Sequence, residues 1–167
     1  MTGSASLRWL WLSLGIVAAD RATKLAIERY TPEFFRRTIV RSFIYLVHTR
    51  NPGIAFGLLA DGAAKWLPWL LSAISIVVIA VLAWLLAAGR AGGRLGQSGL
   101  ALILGGAAGN LIDRLLHGSV TDFLEVWLGS YRWPAFNVAD SAISIGAALV
   151  ALELLFGQRH PAGERFS

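Results

Sequence analysis

The chain has 167 residues, enough for one soluble domain, yet 56% of them are hydrophobic and only 15% charged, where soluble domains carry about 25% charged residues. The mean hydropathy of +0.60 agrees, and so little polar sequence excludes a disordered chain. Cysteine is absent, which removes disulfide frameworks, thiol nucleophiles and cysteine-ligated zinc or iron–sulfur centres. A net charge of +5 suggests nucleic acid in a soluble protein; in a chain this apolar it points to the headgroups of membrane lipid, with no nucleic-acid partner.

A helix needs about 20 apolar residues to cross a bilayer. In chain order, spans are predicted over residues 7–27, 66–89, 95–114 and 134–155. The first is interrupted by Asp20, Arg21 and Lys24. A cleaved signal peptide ending near Val17-Ala18-Ala19 is its alternative, disfavoured because the apolar pattern continues through Leu25, Ala26 and Ile27. Residues 28–65 follow. Partial alternation over 37–49, with Ile39, Phe43, Tyr45 and Val47 against Thr38, Ser42 and His48, predicts a strand pair or curved ribbon that ends in a Pro52-Gly53 turn. Trp66–Gly89 carries no charge at all. The third span carries Ala101, Gly105 and Gly109, the fourth Ala142 and Gly146, small residues spaced for close helix approach. The expected architecture is a single domain over 1–167, an all-α integral membrane protein with four transmembrane helices and one small β-containing segment between the first two.

Four spans put both termini on one side of the membrane. The end of span 1, the end of span 3 and the start of span 4 then share the other side. Asp20 and Lys24, Asn110, Asp113 and Arg114, and Asn137 and Asp140 occupy those three helix ends, while Asn51 and Asp122 lie in the two connections on that side. Ionisable groups at membrane depth are costly and usually functional, so their convergence reads as one site. Arg90 and Arg94 in the short second turn favour a cytoplasmic turn, but residues 28–65 hold more basic groups, so charge alone does not set the orientation.

No Ser-His-Asp order, nucleophile elbow, HExxH or phosphate-binding glycine loop is present, and no metal or cofactor is called for. The ionisable groups near the site are mainly carboxylates. Two close carboxylates cannot both ionise cheaply; one keeps its proton, and the pair holds an acid and a base together for work on a water. Asp122 and Asp140 make the better pair because they flank one connection. Asp113, next to Arg114, reads as one half of a structural ion pair.

The segments Asp20-Arg21-Ala22-Thr23-Lys24, Asn51-Pro52-Gly53-Ile54-Ala55-Phe56, Gly109-Asn110-Leu111-Ile112-Asp113-Arg114, Val120-Thr121-Asp122-Phe123 and Phe136-Asn137-Val138-Ala139-Asp140-Ser141 resemble, in order, the five motifs of bacterial lipoprotein signal peptidase (signal peptidase II). The resemblance runs from about residue 10 to 155. It implies an inner-membrane aspartyl endopeptidase, without cofactor and monomeric, that cuts diacylglyceryl-modified prolipoproteins just before the lipidated cysteine. It implies Asp122 and Asp140 as the catalytic pair, with Asn51, Gly53, Asn110, Arg114, Asn137, Asp20 and Lys24 orienting the pair or holding substrate. It also implies cytoplasmic termini and a site at the periplasmic face. Arg21, Thr23, Pro52 and Gly57 depart from the residues common in that family (Gln, Ser, Thr and Ser). Two other classes compete on the residues alone. A small proton or cation transporter requires carboxylates spread through the membrane depth, and a scaffold requires that Asp122 and Asp140 be dispensable.

Overall fold

A computed structural model describes residues 3–53 and 66–157. Its elements are α1 (Gly3–Tyr30), β1 (Arg36–Val40), β2 (Ile44–Asn51), α2 (Leu67–Ala87), α3 (Arg94–His117), β3 (Val120–Leu128), β4 (Tyr131–Phe136) and α4 (Val138–Phe156). The ribbon expected over 37–49 is the β1–β2 hairpin, which turns at Ser42 with φ 59. Ile54–Phe56, the second half of the Asn51–Phe56 motif, and the rest of the segment up to Lys65 lie outside the described residues.

The all-α expectation needs correcting. The connection between α3 and α4 is a β3–β4 hairpin, and it completes a four-stranded antiparallel sheet of order β1-β2-β3-β4. The sequence marks it only weakly: apolar Val120, Leu124, Val126 and Leu128 lie at alternate positions, but Asp122 shares their face and Phe123 and Trp127 lie on the other, and Gly129 marks the turn. Residues 134–136 belong to β4, so the fourth helix starts at Val138 rather than 134.

Among the described residues three helices are long and apolar enough to cross a membrane: α2, α3 and α4. Their surfaces show why lipid is the solvent. On α2, Trp69, Leu70, Ile74, Ile76, Val77, Val81 and Trp84 all face outward, an apolar belt that no soluble monomer tolerates. The fourth long helix, α1, falls short by composition because Asp20, Arg21, Lys24, Glu28 and Arg29 crowd its second half.

Helix α3 is the axis of the bundle, and its glycines set how near its neighbours come. A Cβ on Gly105 would meet the Ser13 carbonyl oxygen of α1 at 2.7 Å, one on Gly99 the Gly146 carbonyl oxygen of α4 at 2.7 Å, and one on Gly106 would collide with the Ala139 carbonyl oxygen of α4. Backbone is thus packed on backbone, as the small-residue pattern predicts. Glu153 of α4 closes the other end, accepting from the Gly93 N–H at 2.6 Å and the Gly96 N–H at 3.4 Å at the start of α3.

A Gly106→Ala variant is expected to lose thermal stability in detergent by about 1–3 kcal/mol, the usual cost of overpacking. Gly15→Ala, where nothing lies within 4 Å of the new Cβ, is expected to be neutral or stabilising. Thermal unfolding followed by circular dichroism checks both.

Candidate active site

The large side chains buried most completely are polar: Lys24, Glu125, Asn137, Thr121, Asp20 and Asp113. A buried charge survives only when it is paired, and Lys24 shows how. Its Nζ lies 2.8 Å from Asp20 Oδ2, one helical turn back, and 3.0 Å from Asp113 Oδ2 on α3. It also donates to Asn110 Oδ1 at 2.9 Å. Arg21 closes on the other oxygen of Asp113. The remaining oxygen of Asp20 accepts the Ala139 N–H at 3.0 Å, in the first turn of α4, where free N–H groups and the helix dipole favour an anion. Asp20 and Lys24 therefore join α1, α3 and α4 at one level.

Three asparagines pass this order on to Asp122 and Asp140. Asn110 Oδ1 is taken by Lys24 and by Asn137, so its amide nitrogen points outward and donates to Asp140 Oδ1 at 2.8 Å. Asn51 Oδ1 accepts the Gly53 N–H at 2.9 Å, an Asx turn, and its amide nitrogen is left to donate to Asp122 Oδ2 at 3.2 Å. Gly53 has φ 99, a conformation that glycine alone adopts readily. Asn137 is the N-cap of α4: its Oδ1 accepts the Asp140 N–H at 2.9 Å, while Asp140 Oδ2 accepts the Asn137 N–H at 3.3 Å. The same side chain donates to Asp122 Oδ1 at 2.8 Å. It is both a helix cap and the bridge between the two acids. In each amide the carbonyl end is occupied by a donor, and that fixes which way the NH2 faces.

Asp122 is brought here by the exit from α3. Gly118, in the left-handed region at φ 69, ends that helix and turns the chain into β3. Burial pushes the Asp122 carboxyl up to about 7, helped by the charge of Asp140 and opposed by its hydrogen bonds from Asn51 and Asn137 and by Lys24. The count of charges agrees. Asp20, Asp113, Asp122 and Asp140 face Arg21, Lys24 and Arg114, so one retained proton makes the cluster neutral.

Arg114 lies within electrostatic range of Asp140, Asp113 and Asp122. Its side chain reaches Ser75 of α2 at 3.4 Å and leaves a buried Nε without a hydrogen-bond partner among the described residues. The ion pair expected between Asp113 and Arg114 does not form. Consecutive helical residues point in different directions, and Asp113 turns instead to Arg21 and Lys24. Thr121 and Glu125 are fully buried but are not singled out by the sequence reading. Glu125 holds Arg36 at 2.8 Å and Arg132 at 2.6 Å, pinning the outer strands to β3. Among the described residues no group of His, Cys, Asp and Glu is arranged to hold a metal ion.

Comparison with known proteins gives the family. The family model described as Signal peptidase (SPase) II matches residues 12–156. The lipoprotein signal peptidase of Tolumonas auensis is 44% identical over 154 residues, 92% of each chain. That of Pseudomonas putida is 45% identical over 150 residues, 89% of this chain and 86% of its own, and that of Xylella fastidiosa is 41% identical over 157 residues. Among solved structures, a bacterial membrane enzyme determined by the in meso method at 2.3 Å superposes with a TM-score of 0.79 at 26% identity, covering 96% of this chain and 94% of its own. The chain belongs to the signal peptidase II family, the lipoprotein signal peptidases.

Proposed function

We propose that the chain is an aspartyl endopeptidase of the bacterial inner membrane. It removes the signal peptide from diacylglyceryl-modified prolipoproteins by cutting just before the lipidated cysteine, with Asp122 and Asp140 as the catalytic pair. The observation that carries this reading is the bridge through Asn137, whose side-chain NH2 donates to the Asp122 carboxylate and whose backbone N–H donates to the Asp140 carboxylate, joining two acids from different elements in one hydrogen-bonded unit. Family membership and the names of its relatives support the substrate class.

The pair carries one proton. The ionised carboxylate takes a proton from water while the water oxygen bonds to the scissile carbonyl carbon, and the protonated one gives its proton to the forming oxyanion. When the tetrahedral intermediate collapses, the C–N bond breaks, the amine leaves with a proton, and the pair returns to its starting state. Asn51, Asn110 and Asn137 hold the two acids. Asp20 and Lys24 hold the asparagines and α4. Gly53 shapes the turn that sets Asn51, and Arg114, with its free donor, binds the substrate. The enzyme works as a monomer, without cofactor or metal.

All four helices cross the bilayer in this reading, with both termini cytoplasmic and the site at the periplasmic face. Helix α1 has 28 residues, about 42 Å at 1.5 Å each, longer than the roughly 30 Å hydrocarbon core. Asp20 and Lys24 are fully buried against α3 and α4, so lipid does not meet them.

Asp122→Asn or Asp140→Asn is expected to lower turnover of a lipidated precursor by about 10³-fold or more, with the protein still inserted in membranes; near wild-type turnover in either variant overturns the pair. Between a diacylglyceryl-modified precursor and its unlipidated twin, detergent-purified enzyme is expected to cut only the first. The pH dependence follows from the raised carboxyl of Asp122: above about 7 the shared proton is lost and the rate falls about tenfold per pH unit. A rate that stays flat to pH 9 contradicts the one-proton scheme.

A further inference from the structure

Thr121 stands immediately before Asp122, and three separate elements hold it. Its N–H donates to Asp113 Oδ2 of α3 at 3.1 Å, its carbonyl oxygen accepts from Asn137 at 3.2 Å, and its hydroxyl donates to Glu28 Oε1 of α1 at 2.7 Å. Arg50, which lies opposite Thr121 in the β2–β3 register, comes within 4.0 Å of the same Glu28 oxygen. Successive residues of a strand point to opposite faces. Arg50 and Thr121 therefore lie behind the two residues that follow them, Asn51 and Asp122, which bond to each other on the front. A fully buried position filled only for packing suits valine, which has the shape of threonine. A hydroxyl aimed at a carboxylate is instead a charge-assisted bond that fixes direction.

We propose that Thr121 and Glu28, with Arg50, form a clamp on the back of the β2–β3 pair that positions Asp122 and Asn51 for the reaction. The clamp rests on the reading of Asp122 and Asp140 as the catalytic pair. These three are positioning residues: among the described residues no hydrogen bond or ion pair joins their side chains to a dyad oxygen, and all act through the strands that carry Asp122 and Asn51. The clamp joins the outer end of α1 to the sheet at the level of the site.

The test compares Thr121→Val, Thr121→Ser, Glu28→Ala and the Thr121→Val/Glu28→Ala double variant on a diacylglyceryl-modified precursor, with kcat, KM and the pH profile read separately. Thr121→Val is expected to lower kcat about tenfold with KM little changed. It is also expected to move the alkaline limb to higher pH, because loosened bonds from Asn51 and Asn137 favour the ionised carboxyl of Asp122 less. Thr121→Ser keeps the hydroxyl and is expected to restore both. Glu28→Ala is expected to match Thr121→Val, and the double variant to be no worse than either, the sign of one shared interaction. Wild-type kcat and pH profile in Thr121→Val, or losses that add in the double variant, overturn the clamp. If Thr121→Val fails to fold, Glu28→Ala decides by the same two readouts, because Glu28 is partly exposed. Asp122→Asn run alongside separates the two ideas: an active Asp122→Asn refutes the catalytic pair, whereas an inactive one beside a normal Thr121→Val refutes the clamp alone.

Discussion

The structure depends on one buried ammonium. Lys24 has no exposed surface, and a lone charge in such a place costs several kcal/mol. Its contacts with Asp20, Asp113 and Asn110 offset that cost only if α1 and α3 keep one rotation and one height relative to each other. Asp20 then extends the constraint to α4 through the Ala139 N–H. The asparagines inherit their orientation from this arrangement, and the two acids inherit theirs from the asparagines. Hydrophobic burial contributes little to such exactness in lipid, because lipid tails are as apolar as the helix surfaces themselves.

Much of this is legible in the sequence, and the limits have physical causes. Trp66–Gly89 announces a span by length and uniformity. Helix parity gathers the polar residues at one level before any coordinates are known, and hydrogen bonds among Asp20, Lys24, Asn51, Asn110, Asn137 and the two acids agree with that grouping. The β3–β4 hairpin is harder to see. Asp122, Thr121 and Glu125 break its hydrophobic alternation, because both faces of β3 carry buried polar groups. Asp113 misleads for another reason: adjacency in sequence suggests Arg114, whereas helical geometry offers Arg21 and Lys24 from a different helix. Thr121 gives no sequence signal, since its importance lies in what its backbone and hydroxyl meet from three elements.

The residue distribution is turned inside out relative to a soluble enzyme. Leu, Ile, Val and Trp coat α2, and Ile145, Leu152, Leu154, Leu155 and Phe156 the outer side of α4, while the centre near the site is aspartate, lysine, asparagine and threonine. Glycine makes that centre compact. With Gly105 and Gly106 against α1 and α4, the backbones come near enough for short side chains such as Asp and Asn to span the gaps. A wider bundle needs longer, more mobile acids, and the orientation of the pair is lost.

Helices α3 and α4 each take an acceptor for a first-turn N–H from a neighbour, α4 in addition to its own cap Asn137: Glu153 of α4 serves α3, and Asp20 of α1 serves α4. The two borrowed caps sit at opposite ends of the bundle. Sliding either helix along its axis by a single residue, about 1.5 Å, breaks one of them. The assembly is therefore stiff lengthwise, and any relative movement of α3 and α4 that keeps both bonds runs across their axes rather than along them.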